Sequence, residues 1–203
     1  QKEMPLIRTS GRKVIVELKD SLRPNTTYTI DFADAIVDNN EKNVLENFSF
    51  AFSTGPIIDT LQVSGILLNA ENLEPVTGML VGLHSNLNDS AFTKTPFERI
   101  ASSDARGYFS IQNVSPGTYR IYALKDLNRD YRFDNATEDI AFTDVTVVPS
   151  VETVIRPDTI WTDSVTIDTI MINQVVLYHP DNILLKSFNE NFKNHYLEKS
   201  ERL

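Results

Sequence analysis

The chain has 203 residues, 41% apolar and 23% charged, an ordinary globular composition at a length that suits two domains. Its net charge of -9 repels phosphate backbones, and no Lys/Arg patch interleaved with aromatics offsets that charge, so the composition excludes nucleic acid as a partner. The absence of cysteine removes disulfides, thiolate nucleophiles and Cys-bound zinc, and no run of about eighteen apolar residues could cross a bilayer as a helix.

The chain opens at Gln1 with neither an initiator Met nor a signal-like apolar stretch. The expectation is an exported protein whose signal peptide or lipid-attachment Cys lies upstream, reaching a membrane only through an anchor outside this chain. Residues 12–19, RKVIVELK, place Val14, Val16 and Leu18 on one face at the two-residue period of a strand. Pro24 and Asn25 then make a turn into a second strand, TYTIDF, which ends at Phe32. After a polar turn at 38–43, FSFAFSTG sets Phe48, Phe50 and Phe52 on one face of a third strand, predicted to be core.

The run Leu22-x-Pro24-x-Thr26-x-Tyr28, followed by Phe50-x-Phe52-x-Thr54, resembles the C-terminal half of a bacterial Ig-like domain of surface-layer and other exported proteins. The resemblance covers about residues 12 to 55 and implies that earlier strands of that domain precede this chain.

LQVSGILLNA and EPVTGMLVGLHS restart the strand signal beyond a short connector, with Gly65 and Gly78 as turn or bulge positions. Residues 86–98 read as a loop. The turn Asp104-Ala105-Arg106-Gly107 needs positive φ at its glycine. Phe109 and Ile111 share one face, Tyr119, Ile121 and Ala123 another, and Pro116-Gly117 is expected to close a hairpin between them.

The pattern Gly107-x-Phe109-x-Ile111-x-x-Val114-x-Pro116-Gly117-x-Tyr119-x-Ile121-x-Ala123 resembles the carboxypeptidase-regulatory-like, transthyretin-like sandwiches, over about residues 57 to 150. That family implies a non-catalytic module appended to exported enzymes, adhesins and outer-membrane proteins. TDVTVVPSVETVI is expected to finish the sandwich, and the Thr-rich stretch after it reads as an extended linker. In the tail, Leu184, Phe188, Phe192 and Tyr196 recur at helical spacing, yet ILLKSF is also a fair strand; the resemblance favours the strand, opening a further domain. The predicted organisation is thus all-β tandem sandwiches: a partial Ig-like domain at 1–56, a transthyretin-like sandwich at 57–150, and an extended segment entering a truncated domain at 151–203.

Calcium is the one cofactor the residues point to. Asp126, Asn128, Asp130 and Asp134 occupy positions 1, 3, 5 and 9 of an EF-hand-like loop, where hard oxygens at alternate residues can curl round an ion. Position 6 is Tyr131 instead of Gly, position 12 is Thr137, and Glu138 falls one place late. The other reading, and the expected one, is an Asx-rich turn whose carboxylates accept backbone N–H groups and pair with nearby Arg, with weak or no calcium binding.

A second pattern is Asp-(Ser/Thr)-apolar, at Asp20, Asp59, Asp89, Asp158, Asp163 and Asp168. It resembles the acceptor of the general O-glycosylation system of some Gram-negative commensals, implying modification at Thr60, Thr159, Ser164 and Thr169. The alternative is repetition in Thr-rich strands. A modified hydroxyl must face solvent.

No catalytic constellation is evident. His84, His179 and His195 lie far apart, and Glu138 and Asp139 are adjacent on an extended chain and so point apart. Trp161, Tyr108 and Tyr122 could form a sugar-stacking platform, although core packing is the commoner role. These residues suggest a non-catalytic structural or binding segment of an exported surface lipoprotein, outer-membrane-associated or periplasmic, contacting protein or glycan through loops 86–98 and 126–138. The alternative is a set of accessory domains in a larger exported peptide- or glycan-processing enzyme.

Overall fold

The computed structural model of the chain describes residues 5–11, 13–32, 35–38, 40–45, 48–161 and 167–190. Among them the chain is all-β apart from one four-residue helix, and it forms tandem β-sandwich units, Gln1–Asp59 and Thr60–Leu203.

In the first unit, β1 (Leu6–Ser10) and β2 (Lys13–Glu17) form a hairpin around Gly11, whose φ of 59° is left-handed. The sequence reading misses β1, because LIRTS shows no sustained alternation. Strands β3 (Thr27–Asp31) and β4 (Ser49–Ser53) pair antiparallel, Thr27 opposite Ser53.

The Leu-x-Pro-x-Thr-x-Tyr turn is one half of a clasp. Asn25 takes φ 49°, and the Arg23 N–H donates to the Tyr28 hydroxyl at 2.7 Å. Thr54 Oγ1 accepts the Thr26 N–H at 3.0 Å and donates to the Arg23 carbonyl at 2.6 Å. The threonine ending Phe-x-Phe-x-Thr thus ties the end of β4 to the turn that starts β3. The phenylalanine face differs from expectation: Phe48 and Phe50 are 39% and 53% exposed. They line a cleft of about 480 Å³ with Val14, Val16, Ile30 and Phe32, because two-stranded ribbons offer too little surface to close over a face.

In the second unit, seven strands form one sheet in the order β7 (Arg99–Ser102), β6 (Leu80–His84), β9 (Arg120–Leu124), β10 (Asp139–Phe142), β13 (Ile183–Asn189), β5 (Leu61–Asn69) and β8 (Tyr108–Val114). The sheet curls until its edges meet: Arg99 Nε of β7 donates to the Asn113 carbonyl of β8 at 3.1 Å. The concave side encloses Leu67, Val81, Leu83, Phe109, Ile111, Ile121 and Leu185, all at most 1% exposed. Buried apolar area of this kind stabilises at about 25 cal/mol per Å².

Three expectations change here. First, Pro116-Gly117 does not close a hairpin, because β8 pairs with β5 while β9 pairs with β6 and β10. The turn is an arch that carries the chain from one layer to the other. Its shape is held by the Tyr119 hydroxyl, which lies 2.8 Å from Ser115 Oγ and donates to the Ser115 carbonyl at 3.0 Å, while Gly117 packs on the Tyr119 ring.

Second, Gly65 is neither turn nor bulge. It lies buried inside β5 opposite Phe109 on one side and Ile183 on the other. Gly78 and Gly107 do take positive φ, 72° and 74°. At the second, Asp104 Oδ1 accepts the N–H groups of Arg106 and Tyr108 at 2.8 and 2.9 Å.

Third, the segment after 150 is paired strand, and part of it joins the sheet of the second unit. β11 (Ser150–Trp161) and β12 (Ile167–His179) form a long antiparallel hairpin from Ser150–His179 to Trp161–Ile167. The chain then passes the cis His179–Pro180 bond and returns as β13, parallel to β5 and antiparallel to β10. Ile183–Asn189 is therefore a strand inside the sandwich. Its two buried side chains, Leu185 and Ser187, alternate with exposed ones at period two. The expected helical recurrence beyond it, at Phe192 and Tyr196, lies outside the described residues.

Candidate functional site

The acidic loop leaves β9 and returns into β10, and its base is closed by the Lys125 N–H donating to the Asp139 carbonyl at 2.9 Å. Asp126 organises the first turn. Its Oδ1 accepts the Arg129 N–H at 2.6 Å and the Asp130 N–H at 3.3 Å, and its Oδ2 accepts the Tyr131 N–H at 2.9 Å. This lets Arg129 and Tyr131 hold φ of 64° and 63°, a region non-glycine residues enter when side chains satisfy the backbone. Asn128 accepts the Asp130 N–H at 3.2 Å and donates through Nδ2 to Asp134 Oδ2 at 3.0 Å. Asp130 carries Arg132 on one carboxylate oxygen, through Nε at 3.0 Å and Nη2 at 2.7 Å.

The four sequence-predicted residues are thus brought into one hydrogen-bonded loop. Among the described residues, no three His, Asp or Glu side chains are gathered closely enough to hold a metal ion in this conformation. The arrangement is the Asx-rich turn of the second sequence reading.

Beneath the loop lies an aromatic floor that sequence reasoning missed. The short helix α1 (Ala91–Lys94) presents Phe92, whose ring stacks on Tyr122 at 4.4 Å and on Phe133 at 5.5 Å. Backbone bonds tie the same pieces together: Phe133 N–H to the Phe92 carbonyl at 3.0 Å, and Phe97 N–H to the Tyr131 carbonyl at 3.3 Å. Loops 86–98 and 126–138, independent in sequence, therefore share one support. The available signal was aromatic: Phe92, Phe97 and Phe133 fall inside two mostly polar loops.

Two buried polar groups lie near this floor. His84 is 1% exposed, with its ring 5.1 Å from Phe97 and 5.9 Å from Tyr122, and its Nε2 has no hydrogen-bond partner. Burial lowers its pKa below the ordinary 6.5, and the carboxylate of Glu98 opposes that shift only in part. Glu138 is also 1% exposed; its Oε1 accepts the Leu127 N–H at 3.1 Å and its Oε2 has no partner.

The remaining sequence candidates are scattered. Thr60 is exposed just before β5. Thr159 and Thr169 occupy the β11–β12 ladder opposite Ile170 and Ile160, while Ser164 lies outside the described residues. Of the stacking candidates, Tyr122 is buried at 6% exposure under Phe92 and Tyr108 is exposed on β8, while the Trp161 side chain lies outside what is described. His195 lies outside the described residues, and His179 sits 3.8 Å from Glu152 and 3.9 Å from Asp181.

Comparison with known proteins places residues 1–54 in a match to the bacterial Ig-like domain family. No curated protein matches the chain. Among solved structures, the T6 backbone pilin of serotype M6 Streptococcus pyogenes, described as modular and three-domain, is similar over 83% of this chain at 12% identity and a TM-score of 0.29. The chain spans 42% of the length of that pilin, and a likeness so slight carries no argument.

Proposed function

We propose that this chain is a non-catalytic structural or binding segment of an exported bacterial cell-surface protein. The Ig-like match over residues 1–54 supports the surface assignment. The observation that carries the binding role is the convergence of loops 86–98 and 126–138 on the Phe92–Tyr122–Phe133 stack, since loops held on a rigid scaffold are where such modules present specificity. The partner on this reading is a surface protein or glycan, and the anchor is a lipid attached outside this chain.

The second unit serves as a transthyretin-like spacer of the carboxypeptidase-regulatory kind. Supporting this are the Gly107 turn and the Pro116-Gly117 arch, where the motif's glycines and Tyr119 each have a structural duty. O-linked sugar on the solvent-facing Thr60 fits the same setting.

Antibody raised against this chain is applied to intact host cells and to lysed cells. Equal labelling of both is expected. Labelling only after lysis, with the protein in the cytoplasmic fraction, overturns the reading.

A further inference from the structure

The geometry points to self-association of this chain through the outer edge of β12, which pairs antiparallel with β12 of a second copy about a twofold axis at Gln174. This goes beyond the surface-module reading and does not depend on it.

The β11–β12 hairpin is a sheet of two strands only, twelve and thirteen residues long. A two-stranded ribbon is marginal in water, and three or more strands are needed for independent stability. Its base is tied to the sandwich, where the Ser64 N–H donates to the Pro180 carbonyl at 3.0 Å. Further out it stands in solvent: Ile155, opposite Gln174, is 67% exposed, Ile172 72% and Val176 49%.

The two edges of this ribbon differ. An unpaired edge is a template for another strand, and proteins block it with charge and proline. β11 carries Glu152, Arg156, Pro157 and Asp158. β12 carries no proline, and Asp168 near its start is its only Asp, Glu, Lys or Arg.

Pro157 also sets the phase of the ladder. Lacking an N–H, it is accommodated where its nitrogen faces away from the partner strand, so Pro157 and Ile172 form a non-hydrogen-bonded pair. The backbone N–H and C=O groups of Ile172 therefore point out of the ribbon, and by the alternation of an antiparallel ladder so do those of Gln174 and Val176. On β11 the corresponding outer row is interrupted by the proline. On β12 it runs unbroken.

Charge selects what fits this edge. The chain has a net charge of -9, yet from Thr169 to His179 β12 has no carboxylate, ammonium or guanidinium. A charged strand finds no counter-ion along it, whereas a second β12 brings an edge equally neutral, with no like charges opposed. A twofold axis at Gln174 sets the two Gln174 residues opposite each other and Ile172 opposite the partner's Val176. All of these residues direct their backbone groups outward, so each pair exchanges two N–H···O bonds. The Gln174 amide both donates and accepts, which lets it bond its own copy across the axis. Two marginal ribbons become one four-stranded sheet.

The test is sedimentation velocity of the full chain over a concentration series. A monomer–dimer equilibrium with Kd in the micromolar range is expected. Gln174→Lys, at an exposed position, sets two ammonium groups side by side across the axis and should weaken the dimer by about tenfold or more. Because the chain has no cysteine, a single introduced one reports the register. Opposed residues of a hydrogen-bonded pair have Cα atoms about 5.5 Å apart, inside the span of a disulfide. Under diamide, Gln174→Cys should give a disulfide-linked dimer on a non-reducing gel, and Thr153→Cys on β11 should stay monomeric. A chain that remains monomeric up to ~1 mM would overturn the inference and leave the edge to a strand of another protein. So would a dimer whose Kd is unmoved by Gln174→Lys, or cross-linking of Gln174→Cys no faster than that of Thr153→Cys, either of which puts the contact elsewhere.

Discussion

Gly65 and Ile183 face each other in the parallel pairing of β5 with β13, so closely that a methyl group on Gly65 would overlap the Ile183 carbonyl. The β13 backbone occupies the space a side chain would need. Gly65→Ala should therefore destabilise the second unit by about 1–3 kcal/mol, the usual range for overpacking, read as a lower urea midpoint. Gly78→Ala, where the surroundings are open, should cost only the strain of its positive φ.

The aromatic floor gives a prediction about the loops. Phe92→Ala removes the stacks on Tyr122 and Phe133 and should cost about 3 kcal/mol, the lower end for a buried phenylalanine. Limited proteolysis should show faster cleavage within both 86–98 and 126–138. Acceleration in one loop alone would mean that the support is not shared.

His84 should make the second unit acid-sensitive. Its folded pKa is lowered by burial, so its contribution is fully present above the ordinary 6.5 and is lost as pH falls from there through the folded value. Thermal midpoints between pH 8 and pH 5 should decline below 6.5 in the native chain. His84→Phe, placed among Phe97 and Tyr122, should flatten that part of the decline.

The clasp of the first unit rests on one hydroxyl. Thr54→Val keeps the shape but removes the bonds to the Thr26 N–H and the Arg23 carbonyl, and should cost about 1–2 kcal/mol, given about 1 per hydrogen bond and the partly solvated setting. Ser21→Ala, nearby but outside the clasp, is the control and should leave the unfolding transition unmoved.

Strand identity was legible wherever one face is apolar at period two, as in Val14–Leu18, Phe48–Phe52 and Phe109–Ala123. Pairing was not, because alternation says which face is inward and not which strand lies alongside. The arch at Pro116-Gly117 and the hairpin it was expected to be require the same turn residues. ILLKSF was readable as a strand, but its place in this sheet was not, for a related reason: its parallel partner is LQVSGILLNA, more than a hundred residues earlier, and local pattern carries no trace of it. At the acidic loop the spacing of Asp126, Asn128, Asp130 and Asp134 was readable. The left-handed Tyr131 and the inward turn of Glu138 depend on the aromatic floor and on Asp126 acting on three N–H groups at once, which is tertiary information.

That Thr60–Asn189 is a single scaffold supporting both loops is tested most directly by amide hydrogen exchange on the full chain. Peptides covering Ile183–Asn189 should exchange as slowly as those from β5 and β10, since their N–H groups belong to the same cooperative sheet. Exchange of 183–189 at the rate of unstructured chain, while β5 and β10 stay protected, would contradict it and return that segment to a linker.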